Sequence, residues 1–249
     1  MTAEPDAYCF FQDIAPRPPL DAAFDRDYLL YAVAGALRLE VGDKRWLLPP
    51  SFAAWIPAKT EFKVEIQRPV TSCSVLSRPG ICSTFPDQTT VIQMSPLTRE
   101  MISHCRDWGK NAAQPERATA FFRALLDTCA ALAESSVDVT RPTASDPALM
   151  RAVEATEAAL TGAITAPEIA KAAAMSERTM QRRFSEELGA TWAQTLTRLR
   201  MIRAIELLGM PDTSIIQVAG ECGYASLSAF NRAFLAFADM TPTEFRAQL

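Results

Sequence analysis

A chain of 249 residues, 49% hydrophobic and 22% charged, is long enough for two domains and has the composition of a soluble globular protein. No apolar run approaches the roughly 20 residues that span a bilayer, and the acidic start at residues 1–6 does not resemble a secretion signal. We therefore expect a cytoplasmic protein without a membrane partner. Its six Cys form no Cys-x-x-Cys pair, which indicates reduced thiols, and the net charge of −4 excludes a broadly basic surface.

The front of the chain, from about residue 20 to residue 95, has the pattern of short β-strands. Apolar or alternating runs separated by Gly and Pro occupy residues 28–34, 37–41, 52–56 and 62–66. Their regular spacing predicts a sandwich or barrel, and the lack of intervening helical patterns excludes a parallel α/β fold.

After Ser95 the apolar period becomes helical. Ser95-Pro96 marks a helix start, Leu97 to Trp108 recur at helical spacing, and Gly109 marks a stop. A second amphipathic helix is predicted from Pro115 to about residue 134. This pair of helices could cap the front domain or form a dimer seam, and both alternatives are open at this point.

The chain then changes composition. Residues 135–147 are rich in Ser, Thr, Asp and Pro, which predicts a linker. The expected organisation is therefore a β-domain at 1–95, a helical hairpin at 96–134, the linker at 135–147 and an all-α domain at 148–249.

The last domain contains an internal repeat. Ser176–Phe184 and Ser226–Phe234 both follow the pattern Ser-x-x-x-(Met/Phe)-(Gln/Asn)-Arg-x-Phe at an offset of about 50 residues. Thr191 and Thr241 follow each copy, and each begins a Thr-x-x-(Gln/Glu) helix-starting box. The sequence therefore predicts two copies of a helix-turn-helix on one chain.

Within each copy, the spacing separates a packing side from a polar side. The predicted packing residues are Met180, Phe184, Leu227, Phe230 and Phe234. Arg can bond bidentately to guanine, and Gln or Asn to adenine, through the major groove. The polar side therefore predicts base contacts from Arg178, Gln181, Arg182, Ser228, Asn231 and Arg232.

One helix of roughly 18 residues, starting at Trp192, is predicted between the copies, and it would be about 27 Å long. A connecting helix of that length could hold two DNA-reading helices close to one turn of the double helix apart, about 34 Å. Residues 148–249 hold 10 Lys and Arg against 11 Asp and Glu, so binding must depend on a local stripe of arginines. The candidates for this stripe are Arg178, Arg182, Arg183, Arg198, Arg200, Arg203 and Arg232.

These residues carry a family resemblance. Residues 150–249 resemble the AraC/XylS-type DNA-binding domain, through the two copies and through Arg200–Leu208, Ile216–Tyr224 and Thr241–Arg246. The resemblance implies sequence-specific binding of double-stranded DNA, control of transcription and base contacts from the six polar positions. RNA polymerase is a further expected partner if the protein is an activator. The chain departs from the family at Leu227, where many members carry a polar residue.

The front half more loosely resembles the cupin-like sensor domains joined to such regulators, through residues 48–64 and 94–101. The resemblance implies a cupin-like β-barrel that takes a small-molecule effector or forms a homodimer. Phe62 stands where related sensors often carry His, and the one His, His104, follows the strands. We therefore expect no metal and no cofactor. Four aromatic residues could line an effector pocket or form plain core: Tyr31, Trp46, Trp55 and Phe62.

There are two alternatives to a transcriptional regulator. One is a cupin-type enzyme with a regulatory tail, and the other is a protein-interaction module whose reading helices have lost the ability to bind DNA. The barrel offers no His for acid–base chemistry, and Glu40, Glu61 and Glu65 occupy solvent-facing positions. We expect no catalytic residues and no enzymatic activity.

Overall fold

The computed structural model describes residues 4–133, 137–210 and 212–248, so residues 134–136 of the predicted hairpin and linker lie outside the described part. The chain divides into two compact units, Met1–Val139 and Thr140–Ala247. The first is mainly β and the second is helical, which confirms the predicted two-domain layout.

The strands of the first unit are antiparallel. They are β1 Ala7–Ile14, β2 Arg17–Ala22, β3 Asp27–Leu30, β4 Ala32–Ala34, β5 Leu37–Val41, β6 Lys44–Leu48, β7 Phe52–Ile56, β8 Phe62–Ile66, β9 Val70–Ser77 and β10 Thr90–Gln93. The four predicted runs are strands, although the run at 28–34 is split at Tyr31. A further strand, β1, lies before the region in which the sequence predicts strands.

The strands form two sheets. One has the order β1-β9-β3-β7-β10, with β4 also paired to β9, and the other contains β6-β5-β8-β2 in that order. Neither sheet closes within the described residues, so the predicted cupin-like barrel is not confirmed. The outer edge of β1 shows one reason: the Cys9 N–H donates to the carbonyl of Trp108 at 2.9 Å, so a loop occupies part of the edge.

Two helices, α1 Pro96–His104 and α2 Ala118–Ala133, pack on the first sheet. The prediction that the first helix ends at Gly109 is wrong, because α1 ends at His104. The Trp108 N–H instead donates to the carbonyl of Cys105 in a turn after the helix. The first apolar position of that helix, Leu97, is 61% exposed and does not pack. The apolar side of α2 joins the core of the sheet through Phe122, Leu125, Leu126 and Cys129.

The four aromatic residues weighed as pocket or core are Tyr31, Trp46, Trp55 and Phe62, and all are buried. The Trp55 ring stacks on the Phe85 ring with centroids 4.0 Å apart. Their burial supports the interpretation as core. His104 lies on the surface against the rings of Trp108 and Phe121, at 5.4 and 5.2 Å between centroids.

The second unit begins with a short strand and continues with helices. They are β11 Thr140–Arg141, α3 Pro147–Ala158, α4 Ala166–Ala172, α5 Glu177–Leu188, α6 Trp192–Leu208, α7 Ile215–Glu221, α8 Leu227–Ala238 and α9 Pro242–Ala247. One core of this unit gathers side chains from α3 to α6, among them Leu149, Ile169, Met180, Phe184 and Trp192.

Candidate DNA-binding interface

Two helix pairs, α4–α5 and α7–α8, form the predicted helix-turn-helix repeat. The first helix of each pair starts with the same chemistry. The backbone N–H and the hydroxyl of Thr165 both donate to Glu168, and those of Ser214 both donate to Gln217. These capping boxes extend the repeat upstream of Ser176 and Ser226, to the start of the first helix in each copy.

The turns of the two copies have the same backbone conformation but different residues. Ala174 has φ 56° and Gly223 has φ 73°, so both positions are left-handed. A Cβ on Gly223 would lie 2.5 Å from the carbonyl oxygen of Leu160 and 2.6 Å from a guanidinium nitrogen of Arg200. The second turn therefore requires glycine, whereas the first places an alanine in a conformation that L-residues adopt at a cost.

The second helix of each copy is also capped in the same way. The hydroxyl of Ser176 accepts from the Thr179 N–H at 3.2 Å, and that of Ser226 accepts from the Ala229 N–H at 3.3 Å. The side chains predicted to pack are completely buried in four cases, which confirms the assignment for Met180, Phe184, Phe230 and Phe234.

The assignment of Leu227 as a packing residue was wrong, because this residue is 39% exposed. Helical periodicity fixes the direction in which a side chain leaves the helix axis. It does not say how far along the helix the core extends. Leu227 is the first residue of α8, and the buried side of this helix begins only at Phe230.

The structure places the predicted reading residues on the outer sides of α5 and α8. Gln181 is half-buried, and the other five are exposed: Arg178, Arg182, Ser228, Asn231 and Arg232. One guanidinium nitrogen of Arg182 lies 3.2 and 3.1 Å from the two carboxylate oxygens of Glu186. Within the described residues, Arg178 and Arg232 make no ion pair, so their charges are available to a partner.

Four arginines of the predicted stripe have structural roles instead. Arg183 pairs with Asp146, and Arg203 pairs with Glu206 at 2.7 Å. Arg198 donates to the carbonyl of Thr140. Arg200 donates to the carbonyl of Gly162. The other three, Arg178, Arg182 and Arg232, are exposed on α5 and α8, and Arg182 pairs with Glu186 of its own helix. The sequence shows where charges occur but not which carboxylates and carbonyls the fold brings to them.

The helix α6 connects the two copies. It has 17 residues, close to the predicted length, and is about 25 Å long at 1.5 Å per residue. From its middle, Arg200 donates to the carbonyl of Gly162 at 3.0 Å, and its guanidinium lies 5.6 Å from the centre of the Tyr224 ring. One side chain thus holds the loop before the first copy and the turn of the second copy.

Most carboxylates of the unit also have local partners. Hydrogen bonds from Thr165 lower the pKa of Glu168, and those from Thr241 lower the pKa of Glu244. Arg141 pairs with both Glu157 and Glu206, the second at 3.1 Å. Part of the negative charge of this unit is therefore already paired or hydrogen-bonded within the unit.

The part of the chain that the structure describes contains no group of three or more His, Cys, Asp and Glu side chains that could hold a metal ion. Within the same part, every helix is too short or too polar to cross a membrane.

The chain is similar in sequence to known helix-turn-helix proteins. The family described as "Helix-turn-helix domain" matches residues 169–248. The transcriptional regulator NimR of Escherichia coli strain K12 is 26% identical over 221 residues, which is 89% of this chain and 80% of NimR. The transcriptional regulator ArgR of Pseudomonas aeruginosa is 36% identical over 104 residues, which is 42% of this chain and 32% of ArgR. A solved AraC-type DNA-binding regulator from Chromobacterium violaceum is 33% identical over 42% of this chain and 93% of that chain, with a TM-score of 0.41.

The doubled motif and its exposed polar sides define a helix-turn-helix DNA-binding protein. The match over residues 169–248 confirms the resemblance for this part of the chain, which contains a helix-turn-helix domain, and the relatives to which the chain is similar are transcriptional regulators.

Proposed function

We propose that α5 and α8 enter two adjacent major-groove segments of one DNA duplex. The observation that carries this proposal is the division of each helix into two sides. Met180 and Phe184 anchor α5, Phe230 and Phe234 anchor α8, and exposed polar groups occupy the outer side of both. A recognition helix needs this division, because its base-reading side chains must stay free while the helix is held rigidly.

The base contacts follow from the chemistry of the six reading residues, which are Arg178, Gln181, Arg182, Ser228, Asn231 and Arg232. The guanidinium of Arg182 suits the two acceptors of guanine, and the amides of Gln181 and Asn231 suit adenine. Helix α5 carries more long donors than α8, so the first copy contributes more of the specificity.

The first unit modulates this binding, through a small-molecule effector or through homodimerisation. An effector of this unit would be a small and mostly apolar molecule that the unit encloses. Such a ligand acts by binding one conformation of the unit better than another. In this proposal the β-domain at 1–95 senses, the helices at 96–134 cap it or contribute to a dimer, and the unit that starts at Thr140, rather than at the expected residue 148, binds DNA. The protein works in the cytoplasm without metal, cofactor or enzymatic activity, and RNA polymerase is its partner if it activates.

A gel-shift experiment tests the proposal. The full chain is titrated against the DNA upstream of its own gene, with unlabelled duplex of unrelated sequence as competitor. We expect a complex that survives the competitor, that weakens for Arg232→Ala and that is unchanged for Arg151→Ala. Both arginines are exposed, but Arg151 lies on α3, which is not one of the two reading helices. Equal loss in both variants, or competition by any duplex, would contradict sequence-specific reading.

A further inference from the structure

One apolar side chain is exposed beside the polar groups of the second reading helix. Leu227 is the first residue of α8 and is 39% exposed. It lies four residues before Asn231, so the two side chains are neighbours on the helix surface. The residue after it, Ser228, is also exposed. Leu227 is therefore continuous with the proposed reading side.

The first copy has a different chemistry at the equivalent position. At the offset that aligns Ser176 with Ser226, Leu227 corresponds to Glu177, which is exposed in the first turn of α5. A leucine side chain neither donates nor accepts a hydrogen bond. The two copies therefore present different chemistry at this point, and Leu227 is suited to contact an apolar group.

The major groove offers one apolar group on its base edges, the C5-methyl group of thymine. The N-terminal residues of a recognition helix are those that reach base edges, and Leu227 is the first residue of its helix. We propose that Leu227 selects thymine by packing on this methyl group, next to the base that Asn231 contacts. This inference rests on the proposed function, because it requires α8 to lie in the groove.

Replacement of thymine by deoxyuridine tests the inference, since the two bases differ only by the methyl group. The full chain is first used to select duplexes from a random pool, and each thymine of a selected duplex is then replaced in turn. At one position we expect the Kd of the wild-type chain to rise about fourfold, which corresponds to about 0.8 kcal/mol for one buried methyl group. The same replacement should leave the Kd of Leu227→Ala unchanged.

The matched control is Leu235→Ala. Leu235 is 47% exposed on the same helix, eight residues and about 12 Å further along. We expect this variant to keep the full deoxyuridine effect. If the wild-type chain selects a sequence but every replacement is silent, or if Leu227→Ala keeps the same loss, the inference is overturned while the proposed function stands. If the wild-type chain selects no sequence at all, both are overturned.

Discussion

At the scale of single residues, Arg182 is the side chain on which operator choice should depend most. It is exposed in the middle of α5 beside Gln181, and in the free protein its guanidinium is held by Glu186. Arg182→Ala should weaken the free energy of binding to the specific DNA site by about 1–3 kcal/mol and should reduce the preference for one base at one base pair. Binding titrations against duplexes that vary at each position measure this. A uniform loss on all sequences would show that Arg182 contacts phosphate instead.

The left-handed turns give a second prediction at this scale. Ala174→Gly should stabilise the second unit by about 1 kcal/mol, because glycine adopts φ 56° without the steric cost of a Cβ. Gly223→Ala should destabilise it by about 1 kcal/mol or more, because the new Cβ would clash with the backbone of Leu160.

Thermal unfolding of the two variants measures both effects, with DNA affinity as the control for the intact reading helices. A destabilised Ala174→Gly protein would contradict the left-handed assignment of this turn.

At the scale of elements, hydrogen bonds and an ion pair connect residues 145–146, just before α3, to the first reading helix, α5. Asp146 accepts from the Ala148 and Leu149 N–H groups at the start of α3 and also pairs with Arg183 of α5. One residue earlier, the hydroxyl of Ser145 donates to Glu187 at 2.7 Å. Two neighbouring residues thus hold α5 from outside its own core, and the orientation of α5 depends on them.

These contacts predict a dependence of stability on pH. The hydrogen bonds from Ala148 and Leu149 and the charge of Arg183 lower the pKa of Asp146. A lowered pKa contributes stability above the unfolded value, near 3.9, and this contribution is lost as the pH falls through the folded value. Asp146→Asn keeps a capping oxygen but removes the charge.

The wild-type protein should therefore have the higher Tm at pH 7, and the difference from Asp146→Asn should shrink below about pH 4. A difference that is constant over this range would show that the carboxylate charge does not matter.

The elements also show what the sequence could predict. The strands at 37–41, 52–56 and 62–66 and the capped helices of the repeat followed from local patterns, because caps and alternation involve neighbours in the chain. The open sheets did not follow, because closure depends on which strands pair across the unit. The roles of Arg183 and Arg200 and the exposure of Leu227 were missed for the same reason, since their partners are distant in sequence or depend on where the core ends.

At the scale of the whole molecule, the start of the DNA-binding fragment should decide its stability. The second unit begins at Thr140, and Arg141 pairs with Glu157 and with Glu206, which is 8% exposed. A fragment from residue 137 should fold alone, and one from residue 148 should be less stable because it leaves Glu206 without Arg141. Thermal unfolding compares the two fragments, and equal stabilities would contradict a structural role for residues 140–147.

The fragment from residue 137 and the full chain also measure how much the first unit contributes to DNA binding. If it dimerises, the fragment from residue 137 should bind DNA more weakly than the full chain, and light scattering should find the full chain larger than a monomer at micromolar concentration. A full-length monomer under these conditions would remove dimerisation from the proposal and leave the effector.

In the proposed complex the two copies read two different segments of one duplex. Selection from a random DNA pool by the wild-type chain, Arg182→Ala and Asn231→Ala tests it most directly, because each variant should lose preference only where its own helix lies. We predict that the affected positions of the two variants lie about one helical turn apart, about 10 base pairs. Loss at the same position in both variants, or a wild-type chain that selects no sequence, would contradict the claim.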